Sequence, residues 1–147
     1  MFRSIGLALT AVALIATPAA SAKTKTYKLQ GNGIAGIAGA KDGEVIVAGP
    51  VFDDVLGTGA MLFLNATTGE DVTSPFTAYF GKGSISGIAS LDAIVQEDGS
   101  IVYENGKLAI KRGTGAYKGA KGSGTFGGGK SKDNLFTIDY KLSFRVS

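Results

Sequence analysis

The eleven residues before the terminal Ser147 alternate without a break. Phe136, Ile138, Tyr140, Leu142, Phe144 and Val146 are apolar, and Thr137, Asp139, Lys141, Ser143 and Arg145 separate them. A period of two places one set on a buried face and the other on a wet face, the signature of a β-strand. A second long strand is expected over 84–96. Ile85, Ala89, Leu91, Ala93 and Val95 share one parity there, and Ser84, Ser86, Ser90, Asp92 and Gln96 the other, interrupted by Ile88 and Ile94. Glu97-Asp98-Gly99 ends it with a hairpin signal. Residues 100–104 and 107–112 read as further runs, separated by Asn105-Gly106, a hairpin or bulge signal. Upstream, 24–30, 44–48, 60–64 and 73–80 read as short strands. Residues 31–40, rich in Gly and Ala, read as strand or loop. Pro75 favours an edge, a bulge or a strand start. No stretch carries helical periodicity. About eight strands at this spacing suit an antiparallel meander closing into a small barrel, which removes exposed edges.

The N-terminus is different in kind. Arg3 precedes an apolar run over residues 5–16, Pro18 breaks it, and Ala20-Ser21-Ala22 fits a small-x-small cleavage site. Residues 1–22 are therefore expected to be a signal peptide, and 23–147 a single secreted or periplasmic domain. The run is short of the roughly 20 residues that span a bilayer, so the mature chain is not expected to cross a membrane.

Composition narrows the chemistry. The 147 residues include 23 glycines and no Cys, His or Trp. Disulfides, thiolate nucleophiles, imidazole bases and the usual zinc or haem ligation are excluded. Beyond residue 22, 14 basic groups face 12 acidic ones. That near-neutral balance gives no argument for nucleic acid, and the lysines at 23, 25, 28, 118, 121, 130 and 132 read as solvated edges and loops. No cofactor or metal is called for.

The most distinctive stretch is Gly113-Thr114-Gly115-Ala116-Tyr117-Lys118-Gly119-Ala120-Lys121-Gly122. It reads as a tight turn, one helical turn at Ala116-Tyr117-Lys118 with Tyr117 folded over a barrel end, and a resumed strand. It resembles the G-T-G-x-[YF]-x-x-A-x-G turn of the allene oxide cyclase and dirigent protein superfamily and its bacterial secreted relatives. The likeness extends over roughly residues 81–147, although Arg112 stands where the family doubles the glycine. The resemblance implies an all-β fold, a small antiparallel eight-stranded barrel with a central cavity, and a homotrimer. It carries over no catalytic residue. The match of residues 122–127 to G-x-G-x-x-G lacks the following helix that a phosphate site needs.

Few residues stand out as candidates. Asp92 and Arg112 are ionisable groups in strand bodies, and either one facing a lumen would call for a partner or a polar ligand headgroup. Asp53-Asp54 and Glu70-Asp71 read as solvated turn charges, since a calcium site needs six to eight gathered oxygens. Asn65-Ala66-Thr67 fits a glycosylation acceptor, relevant only in a eukaryotic secretory route. The best functional expectation is binding of a small apolar or amphipathic ligand in the barrel. The alternatives are a dirigent- or cyclase-like enzyme steering a reactive intermediate, and a structural protein without ligand. An apolar cavity favours the first, inward ionisable groups the second, a filled lumen the third.

Overall fold

The computed structural model describes residues 23–42, 44–65 and 69–147. The expected signal peptide, and Ala66 and Thr67 of the acceptor triplet, lie outside the described residues. Eight antiparallel strands follow one another: β1 (Lys25–Lys41), β2 (Glu44–Asp53), β3 (Gly57–Asn65), β4 (Gly69–Phe80), β5 (Gly83–Val95), β6 (Ile101–Gly113), β7 (Lys121–Lys130) and β8 (Phe136–Val146). Each pairs with the next, and β8 returns to β1, closing the barrel. The closing seam is long: Lys25 lies opposite Val146, and the register holds to Ala35 opposite Phe136.

Strand β8 behaves as its alternation dictates. Phe136, Ile138, Tyr140, Leu142 and Phe144 are buried in the lumen, and the residues between them are exposed. In β5, Ile85, Ala89, Leu91 and Ala93 point inward as expected. Val95 does not; it ends the strand and is exposed.

Two open readings resolve and two expectations need correction. Residues 31–40 are strand, not loop: β1 runs 17 residues without interruption. A strand that long can pair with β8 through its first part and with β2 through its second, and this sharing closes the cylinder. Strands β2 and β3 reach further than the short apolar runs suggested, β2 passing through Pro50 to Asp53. Asn105-Gly106 is a bulge inside one strand, β6, where Asn105 takes φ +52° and the register with β5 and β7 slips by one. Pro75 sits in mid-strand: it lies opposite Ile88, and the β3–β4 ladder ends next to it at Phe63–Phe76. Beyond that point the Ser74 hydroxyl donates to the Leu64 carbonyl, replacing a lost rung.

The glycine-rich turn does what its sequence announces. Residues Gly115–Tyr117 form a single 3-10 turn, and Gly115 sits at φ +57°. A Cβ on Gly113 would stand 2.0 Å from the Tyr117 carbonyl oxygen, so only glycine permits the chain to fold back so tightly. The fold-back drops Tyr117, 2% exposed, over the barrel end, edge-on to Tyr27 at 5.7 Å and to Phe144 at 6.0 Å. Thr114 fastens the turn to β5: its hydroxyl accepts from the Ser84 N–H at 3.0 Å and bonds the Ser84 hydroxyl at 2.8 Å.

Phe144 is 1% exposed, stacked on Tyr27 at 4.9 Å and capped by Tyr117. Phe144→Ala is expected to lower unfolding stability by about 3–5 kcal/mol. Thr137→Ala, on the wet face of the same strand, should stay within about 0.5 kcal/mol. Urea denaturation followed by tyrosine fluorescence checks both.

Candidate functional site

The two sequence candidates occupy the outer wall, and the structure does not bring them together. Asp92 lies opposite Glu104 on β5. Its carboxylate accepts from the Asp71 N–H at 2.9 Å and from the Asn105 Nδ2 at 2.6 Å. Both donors are residues with positive φ, +53° and +52°, at irregularities of β4 and β6 on either side. Asp92 is thus a staple that holds two left-handed residues in place across three strands. The Asn105 hydrogen bond, followed by the Asp71 N–H, keeps its carboxyl below the usual carboxylate range. Arg112 shares the parity of Leu108 and Ile110, which are buried. A bulge between Ser86 and Gly87 of β5 and their β6 partners reverses that parity, and Arg112 ends exposed opposite Ser86.

The lumen holds a different pair. Asp53, at the end of β2, is 7% exposed. The Tyr140 hydroxyl donates to its Oδ2 at 2.8 Å, and its Oδ1 accepts the N–H groups of Val55 and Leu56, each at 2.8 Å. These contacts satisfy the carboxylate without a cation. The bond crosses the inner face of β1 at Gly31, which lies opposite both Asp53 and Tyr140. A Cβ on Gly31 would meet the Tyr140 hydroxyl oxygen at 2.5 Å. Burial first, and then the hydrogen bond to and charge of Asp53, raise the Tyr140 phenol far above its ordinary value. The reading of Asp53 as a solvated turn charge is therefore corrected. Val47, Val51 and Asp53 share one parity, a signal available once β2 is carried through Pro50.

Side chains fill most of the barrel. Among the described residues, the spaces left inside include two apolar voids of about 30 and about 40 Å³. Each has room for a water molecule or two, against roughly 300–1,000 Å³ for a pocket built around a drug-sized ligand. The smaller lies away from the Tyr117 plug, against Val47, Leu91, Tyr103 and Phe136. The larger lies toward it, against Val51, Met61, Phe80 and Tyr140. Phe63, Phe126 and Ile138 border both and form the partition.

The outer surface is divided. Residues 46–52 of β2, 60–64 of β3, 73–79 of β4 and 86–90 of β5 include no charged side chain. Phe52, Tyr79 and Ile88 stand exposed there. On β8 the outward positions are Thr137, Asp139, Lys141, Ser143 and Arg145, so the apolar surface does not encircle the barrel. Among the described residues no helix is long and apolar enough to cross a membrane.

Charge also separates along the axis. At the Tyr117 end lie Lys23 and Lys25 ahead of and in β1, Lys82 in the β4–β5 turn, Lys111, Arg112, Lys118 and Lys121 around the plug, and Arg145 near the end of β8. All are exposed, and the exposed carboxylate in the turns of that end is Asp54. The opposite turns carry Asp42, Glu44, Glu70, Asp71, Glu97, Asp98 and Asp133 against Lys41, Lys130 and Lys132.

Tyr140→Phe removes the donor to a buried carboxylate oxygen and is expected to cost about 1–3 kcal/mol at neutral pH. The folded chain holds the Tyr140 proton to higher pH than the unfolded chain does. The stabilisation is complete below about pH 10, the ordinary tyrosine value, and is lost progressively as pH rises above it. Burial of Tyr117 adds to the same trend. Denaturation midpoints measured from pH 8 to 11.5 should fall steeply above 10 in the natural chain and less steeply in Tyr140→Phe.

No protein-family model matches the sequence, and no curated protein matches it significantly. Solved structures do. The barrel is similar to a pterocarpan synthase dirigent protein with a TM-score of 0.52, at 13% identity, over 87% of this chain and 88% of that one. A second pterocarpan synthase dirigent protein aligns at a TM-score of 0.43 and 14% identity, over 85% of this chain and 96% of the other. With the closed eight-stranded meander and its glycine-cornered plug, the first of these likenesses identifies the fold as the dirigent-type barrel.

Proposed function

We propose that this protein is an exported dirigent-type barrel that holds one small apolar molecule in its lumen and works as a homotrimer. The observation that carries the reading is the pair of small apolar voids that Phe63, Phe126 and Ile138 line from both sides. Phe63 is only partly buried, and a guest larger than a water molecule or two requires its ring to turn aside and merge the voids. The lumen favours an apolar guest. Among the polar groups that face it, Ser74 and Tyr140 already spend their hydroxyl protons on the Leu64 carbonyl and on Asp53. Solvent-exposed apolar residues on the uncharged wall of β2–β5 support the assembly, since a monomer rarely leaves a broad patch of that kind open to water. The leader pattern of residues 1–22 supports export.

A second reading is an enzyme that steers a reactive intermediate, favoured by the Asp53–Tyr140 pair beside the larger void. A phenol whose proton is held by a carboxylate can still accept a hydrogen bond through its oxygen, and so orient a guest and stabilise developing positive charge. Conversion of the co-purified molecule on incubation would select this reading over simple binding.

Native mass spectrometry of the exported protein tests the proposal. A trimer beginning at Lys23, carrying a small molecule, is expected; a ligand-free monomer would overturn it. Phe63→Ala should merge the voids and raise the affinity for a monocyclic aromatic such as toluene by about tenfold, read by calorimetry. An unchanged, negligible affinity in both proteins would show that the lumen is simply packed.

A further inference from the structure

We propose that the basic end of the barrel docks the protein end-on against a lipid bilayer that presents anionic phosphate headgroups. Lys82, Lys111, Arg112, Lys118, Lys121 and Arg145 come from four separate places in the chain and converge around the Tyr117 plug. All six are exposed. None pairs with a described carboxylate; Lys121 instead donates to the Lys111 carbonyl, within the same cluster. Lys25 at the same end lies 4.5 Å from the centre of the Tyr27 ring. A cluster of like charges left unneutralised raises the local potential, and an anionic partner relieves it.

The shape of this surface selects the partner. It is the capped end of a cylinder. A single-strand nucleic-acid site needs exposed aromatic platforms among its cations; here Tyr117 is buried with Phe144 beneath it, and the exposed Phe52 and Tyr79 belong to the uncharged wall of β2–β5. Reading of duplex bases needs an element that enters a groove. A capped end with scattered lysines matches a laterally continuous charged plane, to which each Lys or Arg near the surface contributes additively. The acidic turns at the far end are repelled by the same plane. The molecule therefore stands with its plug down and the end nearer the smaller void facing away.

Vesicle sedimentation tests this with residues 23–147, which contain every strand of the closed barrel. The probes are phosphatidylcholine vesicles with and without about 30% phosphatidylglycerol. Binding is expected to the anionic vesicles alone at low salt, and to vanish at about 0.5 M salt. The triple variant Lys82→Glu, Lys118→Glu, Lys121→Glu should weaken it by at least about a hundredfold, on the order of fivefold or more for each charge removed. Lys130→Glu with Lys132→Glu, at the opposite end, should leave it unchanged. Circular dichroism establishes that both variants fold. Equal binding to neutral vesicles, no binding to either, or equal loss in the two variants would overturn the proposal. So would tighter binding to a duplex oligonucleotide than to the anionic vesicles. Salt-sensitive stacking of barrels without lipid, abolished by the triple variant, would assign the basic end to a second copy instead.

Discussion

Closure of β1 on β8 is the constraint on which the rest of the molecule depends. A flat eight-stranded meander would leave two edges open and would face each apolar set with water on one side. Curling the sheet pairs the first strand with the last and turns one parity of all eight strands into a common interior. The seam fixes the register by eleven consecutive pairs, from Lys25–Val146 to Ala35–Phe136. A slip of one residue along it would expel Phe144 and Tyr140 from the lumen and admit Arg145 and Asp139. The cost of burying those charges holds the seam in place as firmly as the hydrogen bonds do.

A barrel of this size has little interior space, and the distribution of small residues decides how it is used. Gly31 lets a hydrogen bond cross an intervening strand inside the lumen, joining Asp53 of β2 to Tyr140 of β8. That bond ties the β2–β3 turn to the last strand, because the same carboxylate also holds the N–H groups of Val55 and Leu56. The plug end is thus closed twice, by an aromatic cluster around Tyr117 and by a buried polar tie. What space remains has been pushed to the middle of the barrel, on either side of Phe63, Phe126 and Ile138.

Much of this was legible in the residues, and the exceptions share a cause. Alternation is a local property, so β8 and most of β5 could be read directly. The glycine corner could also be read, because its strain is confined to neighbours in sequence. Irregularities in register were not legible. The Asn105-Gly106 signal fits a hairpin as well as a bulge until β5 and β7 are seen to pair with both sides of it. The shift near Arg112 reverses a parity that the sequence alone would project inward. Asp53 was hidden for a related reason: the expected strand stops at Ala48, whereas β2 continues past Pro50, which stands exposed opposite Ala60. The partner that makes a buried carboxylate tolerable, Tyr140, lies 87 residues away, and no motif connects the two.

The same logic explains why composition concealed the polarity of the surface. In an up-and-down barrel the turns alternate between ends, so the β2–β3, β4–β5 and β6–β7 turns meet the start of β1 and the end of β8 at one end, and the remaining turns meet at the other. Charges spaced along the chain are sorted by the parity of the turn in which they fall. Basic residues predominate in one class of turn and carboxylates in the other, and their sum is close to zero. Net charge is a statement about the sum, whereas attraction to a plane depends on the gradient along the axis. A nearly neutral barrel can therefore present one strongly basic end, and orientation at a charged surface follows from topology acting on the order of its residues.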